Sequence, residues 1–358
     1  MLRFLVRRFL YGLLVLWGVI TVVFFLFNIL PGDPARMLMG QRTDVSSVAA
    51  IKKDLGLDQP LRIQYLLFVN DISPFSWHDF KEKESLWYLD RQKYAPSVKL
   101  LTLGRGGFVL KKPYLRRSYQ SRREVSSIIA EAFPKTLLLA SASILIAMII
   151  GIGLGIVAAL RKDSLLDRSL LVFSSLGMSI PSFFAAIIIA WLFAFVLADF
   201  TGLKMFGSLY SVDDYTGEIY VDIKNLILPA ITLGIRPLAI VVSLTRSSLL
   251  DVLSQDYIRT AYAKGLGKRS VIVHHALRNA LNPVLTAITG WFASLMAGAV
   301  FVEYVFDWKG IGVVIVDSLE KYDLPVIMGS VLFISVVLIL VNILVDILYT
   351  MLDPRVRL

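Results

Sequence analysis

Six stretches of this sequence are each apolar for about 20 residues or more, the length a helix needs to cross a bilayer: about 9–30, 134–160, 169–198, 225–248, 284–306 and 324–350. A soluble protein with a large core spaces its apolar residues at the period of a helix or a strand and does not run them together. Charged residues make up only 18% of the chain, where soluble domains carry about 25%, and the mean hydropathy is +0.70. The expected fold is all-α, a polytopic helix bundle of about six spans in a lipid bilayer.

Orientation follows from Lys and Arg in the short connections, which stay on the cytoplasmic side. The head holds three (Arg3, Arg7 and Arg8), the 161–168 turn three, the 251–283 segment five and the 351–358 tail two. The opposing loops hold Lys204 with Lys224, and Lys309 with Lys321. Both termini are therefore expected in the cytoplasm. The chain divides into a cytoplasmic head and first span (1–30), an extracytoplasmic segment (31–133), a five-span core with a cytoplasmic loop at 251–283 (134–350), and a cytoplasmic tail (351–358). A basic head before an apolar run also fits a signal peptide, but Leu30-Pro31-Gly32-Asp33-Pro34 follows where small residues would mark a cleavage site. The 31–133 segment is too long for a simple connection and is expected to form a small subdomain. It has a helical-looking stretch at 46–71 and a charged region at 77–123 with few periodic apolar residues. The net charge of +10 would suit nucleic acid. Here the basic residues sit beside apolar blocks or within one loop region, which suits a membrane surface, and no nucleic-acid partner is expected.

Little in the chain points to catalysis. With no cysteine there is no disulfide scaffold, thiolate metal site or cysteine nucleophile. His78, His274 and His275 show no metal spacing, and no metal site is expected. There is no Gly-x-Ser-x-Gly elbow. There is also no Gly-x-x-x-x-Gly-Lys-Ser/Thr phosphate loop, since Gly267-Lys268 is followed by Arg269. Gly151 and Gly155 share a helix face and suit close packing of a second helix. Arg236 lies mid-block beside Pro237, where a charge costs several kcal/mol and must face the bundle interior or water. It either lines a passage and meets substrate carboxylates, or serves a structural partner such as carbonyls freed near Pro237 or Glu303. Glu303 is expected to be solvated near the outer end of its block, or paired with Lys309. Asn342 and Asp346 are expected to serve helix packing.

The most informative segment is Asp256-Tyr257-Ile258-Arg259-Thr260-Ala261-Tyr262-Ala263-Lys264-Gly265. Asp256 can cap a helix, Ala261 and Ala263 are small, and Gly265 can take the left-handed conformation that ends one. That predicts a short helix outside the membrane with a nearly smooth face, able to sit in a groove of another protein or to lie on the headgroups.

Arg259-Thr260-Ala261 and Ala263-Lys264-Gly265, followed by His275-Ala276-Leu277-Arg278-Asn279-Ala280, resemble the EAA loop of binding-protein-dependent ABC importer permeases. The match is to the peptide-importer branch, since Arg259 and Thr260 stand where the general pattern has Glu and Ala. Leu30-Pro31-Gly32-Asp33-Pro34-Ala35, Leu55-Gly56-Leu57-Asp58-Gln59-Pro60-Leu61, Pro134-Lys135-Thr136-Leu137, Ile180-Pro181-Ser182-Phe183, Val302-Glu303-Tyr304-Val305-Phe306 and Asp353-Pro354-Arg355 agree in order. Over nearly its whole length the chain resembles the B-type permease subunit of dipeptide and oligopeptide importers. It departs in a longer 72–114 segment and in Trp308-Lys309-Gly310-Ile311-Gly312, where the family usually has Pro-Gly-Leu-Gly.

The resemblance implies the type I ABC importer permease fold, with an extracytoplasmic insertion after the first span, in a bacterial cytoplasmic (inner) membrane. It implies a non-enzymatic permease subunit that moves di- or oligopeptides by alternating access and has no cofactor of its own, ATP being bound by partners. Those partners would be two ATP-binding cassette subunits, a second homologous permease and an extracytoplasmic substrate-binding protein. Asp256, Arg259, Thr260, Ala261, Ala263, Lys264 and Gly265 would couple to the ATPase, and Arg236 would belong to the substrate pathway. Dipeptide, longer peptide, glutathione or a metal chelate all stay open as cargo. The alternative is a self-contained ion-coupled secondary transporter, against which stand the absence of a clear internal repeat and the single deep charge.

Overall fold

A computed structural model describes residues 2–29, 58–91, 93–213 and 216–352. The motifs at 30–35, 55–57 and 353–355, and the 46–57 part of the helical stretch expected at 46–71, lie outside those residues; its 61–71 part is helical. The chain forms two compact units, one from 1–10, 132–313 and 336–358, the other from 11–131 and 314–335. Its long helices are α1 (Leu2–Ile29), α3 (Val125–Leu160), α6 (Lys224–Leu253) and α11 (Leu324–Leu352). The shorter ones are α2 (Leu61–Ile72), α4 (Leu165–Ser179), α5 (Ser182–Trp191), α7 (Asp256–Ala263), α8 (Asn282–Gly298), α9 (Val300–Val305) and α10 (Ile311–Glu320).

Among the described residues four helices are long and apolar enough to cross a membrane, or five if α4 with α5 is one bent span. The third apolar block breaks at Ile180-Pro181, and its halves meet at 111°. Pro181 has no N–H to continue α4, and Ile180 takes the extended conformation favoured before proline. The fifth block, expected as one span, splits at Ala299 into α8 of 17 residues and α9 of 6. The sequence marked no break there.

In the first unit, α3, α4, α5 and α8 surround α6. A Cβ on Gly151 would stand 2.8 Å from Val241 Cγ1, and one on Gly155 2.8 Å from the Val242 carbonyl, so these glycines seat α3 directly on α6. Leu139, Leu228, Val241, Val284 and Trp308 fill the space between the helices. Ser164 caps α4 by accepting from the Asp167 N–H, and Asp167 in turn accepts from the N–H of Asp163, the residue before the cap. The polar loop after α5 carries a hairpin of β4 (Tyr210–Val212) and β5 (Ile219–Val221).

In the second unit, Tyr65 and Phe68 of α2 pack on Phe24 of α1, with Met328 and Leu332 of α11 in the same cluster. Beyond α2 lies a three-stranded antiparallel sheet ordered β1 (Phe75–Asp79), β3 (Gly106–Lys111), β2 (Ser97–Leu103). The all-α bundle thus carries a β insertion that the charged 77–123 segment did not advertise.

Candidate coupling helix and transport path

Helix α7 runs from Asp256 to Ala263, just beyond the end of α6. Asp256 is the first helical residue and not its cap. That place belongs to Gln255, which makes no side-chain capping bond. Asp256 instead meets Arg259 at 3.5 Å in an exposed pair. Lys264 ends the helix, its N–H donating to the Thr260 carbonyl. Gly265 follows with φ +79° and donates to the Tyr262 carbonyl.

The small face is turned inward. Ile258 and Ala261 are buried with Leu249, Val271, Ala276 and Ala280, so Ala261 packs α7 onto its own chain and is not part of an outward surface. The exposed side carries Tyr257, Arg259, Thr260, Tyr262, Ala263 and Lys264. It is polar and aromatic where the sequence led us to expect it smooth. The 268–280 segment supports α7 from beneath, wound as a π-helix at Val271–Ala276. Asn279 donates to the Tyr257 hydroxyl at 2.8 Å. The sequence signal for this support was the pair Ala276 and Ala280, one helical turn apart and both fully buried.

A second tie holds the C-terminal end of α6. Arg246 donates through Nε and Nη2 to the two Asp167 oxygens at 2.5 and 2.7 Å. This fork joins the 161–168 turn to the helix leading into α7. Nothing in the sequence paired these two residues, which lie 79 positions apart.

Arg236 is exposed on α6 and donates to the Met178 carbonyl at 3.4 Å. Met178 is in the last turn of α4, where carbonyls have no helical partner. The carbonyl next to Arg236 thus comes from the α4–α5 break and not from Pro237, and Glu303 lies elsewhere.

Glu303 is fully buried, not solvated, and Lys309 pairs with Asp307. Its Oε2 accepts from the Gly312 N–H at 2.7 Å. Thr136 accepts from the Ile311 N–H at 2.9 Å, and the Trp308 indole donates to the Lys135 carbonyl at 3.0 Å. Two motifs read separately in the sequence, 134–137 and 302–306, meet here around the 308–312 turn. Gly310 and Gly312 are required because the Glu303 carboxyl occupies the space a Cβ would take, within 2.4 Å at Gly310 and 2.8 Å at Gly312.

Asn342 was read with Asp346 as helix packing. Asp346 accepts an ion pair from Arg8 of α1 at 2.9 Å. No group of metal-ligating side chains occurs among the described residues.

Residues 151–358 match the family "Binding-protein-dependent transport system inner membrane component", and residues 1–84 match its N-terminal companion, "Binding-prot-dependent transport system membrane comp, N-term". The chain is 35% identical over 374 residues to the di/tripeptide transport system permease protein DppB of Pseudomonas aeruginosa, covering 100% of this chain and 99% of that one. It is 35% identical over 358 residues to the glutathione transport system permease protein GsiC of Salmonella typhimurium, with the same coverage. A chain of the inward-facing MetNI methionine ABC transporter superposes with a TM-score of 0.51 at 14% identity, covering 64% of this chain and 97% of that one. That likeness speaks for the fold alone.

Proposed function

Because the chain belongs to the binding-protein-dependent transport system inner membrane component family, and is thereby the membrane permease of an ABC importer, we propose that it passes di- or oligopeptides across the bacterial cytoplasmic membrane by alternating access. The observation that carries the cargo is the end-to-end similarity to permeases named for di/tripeptides and for glutathione, all of them peptide-sized substrates with a carboxylate.

In this reading α7 is the coupling helix. Arg259, Thr260, Ala263 and Lys264 present its exposed side to a partner ATPase, and Gly265 ends it. Ala261 anchors it from the inner side, and Asp256 starts it. The Asp167–Arg246 fork ties the neighbouring turn to α6, so a push on α7 reaches the spans through a rigid support. Arg236 lines the path and meets peptide carboxylates at the break between α4 and α5. Two ATP-binding cassette subunits bind the nucleotide, a second homologous permease supplies the other wall, and an extracytoplasmic binding protein delivers the cargo. Both termini lie in the cytoplasm.

The test is uptake of a radiolabelled dipeptide into proteoliposomes holding the chain with its co-purifying subunits. Accumulation should require ATP inside the reconstituted cycle and should fail with a proton or sodium gradient alone. Gradient-driven uptake without ATP would overturn the coupling scheme. ATP turnover without uptake of any di-, tri- or longer peptide would overturn the cargo.

A further inference from the structure

The β1–β3–β2 sheet is amphipathic in the reverse of the usual sense. Antiparallel sheets with one solvated face normally turn apolar side chains to the core and polar ones to water. The register here puts Phe75 opposite Leu110, Trp77 opposite Phe108, Leu101 opposite Phe108 and Val98 opposite Leu110. All six therefore share one face, and all six are exposed, Phe75 at 66%, Val98 at 61% and Leu101 at 53%. The opposite face is the polar one. Ser76, His78 and Lys111 are buried beside Val109, over an ion-paired cluster around Asp71.

That cluster fixes where the sheet stands. Asp71 is the second-last residue of α2 and accepts from Tyr94 at 2.6 Å, Arg116 at 3.1 Å and Lys93 at 3.2 Å. Lys111 of β3 donates to the Asp71 carbonyl at 2.6 Å. One turn before Asp71, Phe68 packs with Phe24 in the last turns of the span in α1 and with Met328 and Leu332 in the first turns of α11. Ile72 belongs to the same apolar cluster. Phe75 is three residues further on, within about 10 Å at full extension. A headgroup layer is about 5–8 Å thick on each side of the hydrocarbon core, so the edge of the apolar face is at its level.

We infer that this apolar face seats in the lipid headgroup layer at the C-terminal end of α1. Its chemistry fits that layer: Trp and Phe with aliphatic side chains, flanked by cations, make up an interfacial surface. The β2–β3 hairpin, 97–112, carries Lys99, Arg105, Lys111 and Lys112 and no acidic residue. Arg105 in the turn and Lys112 after β3 are exposed at the two ends of the face, placed for lipid phosphates. The face belongs to a segment already tethered to spans through α2, so the bilayer surface is within reach of it without any further partner.

The chain has no cysteine, so single labels are unambiguous. Leu101→Cys places an environment-sensitive fluorophore on the apolar face, and Thr102→Cys places it on the other. The full chain with its co-purifying subunits goes into nanodiscs of phosphatidylcholine and phosphatidylglycerol. Doxyl lipid should remove most of the emission at position 101 and little at 102, and aqueous iodide should do the reverse. Val98→Cys, on the same face, repeats the test should Leu101→Cys disturb the hairpin. Iodide access at 101 and 98 equal to that at 102 would show the face bare and overturn the inference. Protection from both quenchers would show it covered by protein, and would overturn it equally. None of these outcomes depends on which cargo is carried.

Discussion

At Gly265 the backbone takes φ +79° with no atom within 4 Å of where a Cβ would be. A side chain would therefore meet open space, and its cost is conformational, about 1–2 kcal/mol for an L-residue held left-handed. Gly265→Val should leave membrane levels unchanged and abolish uptake, because α7 would no longer end where it does. Gly265→Asn should retain more uptake, since Asn tolerates this conformation. Normal transport by the valine variant would remove α7 from the coupling role. Arg236→Gln should lower uptake of every peptide without lowering ATPase activity, and uptake of all peptides at the parental rate would return Arg236 to a packing role. His78 gives a pH prediction. Burial, with Lys111 beside it, lowers its pKa from 6.5 to about 4. The folded subdomain then binds fewer protons than the unfolded chain between those values, so its stability is whole above 6.5 and falls as the pH drops toward 4. Burial alone would raise the Asp71 pKa, but Arg116, Lys93 and Tyr94 bring it below the ordinary value, so its pairing is lost only in stronger acid. Protection factors of β1 and β3 amides, taken against the intrinsic exchange rate at each pH, should fall from pH 6.5 to 4, and His78→Phe should flatten that fall.

Among the elements, α7 and the 268–280 segment behave as one packed body. Ala280 has no exposed surface beneath Ile258 and Ala261, so Ala280→Leu overpacks the contact by about 1–3 kcal/mol. ATPase activity should persist while peptide uptake falls, measured in the same proteoliposomes. Glu303 plays a comparable part for the 308–312 turn. It joins α9 to the start of α10, where a carboxylate also suits the positive helix end. Glu303→Ala would leave Gly312 without its acceptor and open a buried void, and the melting temperature should fall by several degrees. The two halves of the broken third block belong at this scale too. Pro181 foretold the bend, whereas the split at Ala299, directly after Gly298, carries no proline.

For the whole molecule, the family assigns the work. The chain is the inner membrane permease component of a binding-protein-dependent transport system. The helices α1, α3, α10 and α11 each have residues in both units, and residues 73–112 lie wholly in the second. Deleting 73–112 should therefore destabilise the second unit as a whole. Asp71 would lose Tyr94, Lys93 and Lys111 together, and a fluorescence thermal melt should show an earlier transition than in the parent.

The long apolar helices and the short helix after α6 were legible because each is local. Run length sets whether a helix can span, and the 256–265 segment holds its helix signal in ten consecutive residues. Which face of α7 is outward, the burial of Glu303, the Asp167–Arg246 fork and the reversed sheet were decided only in the tertiary structure. Each depends on what a residue distant in sequence covers. Alternation along β1 and β3 says that the two faces differ, but it cannot say which face is turned toward Asp71.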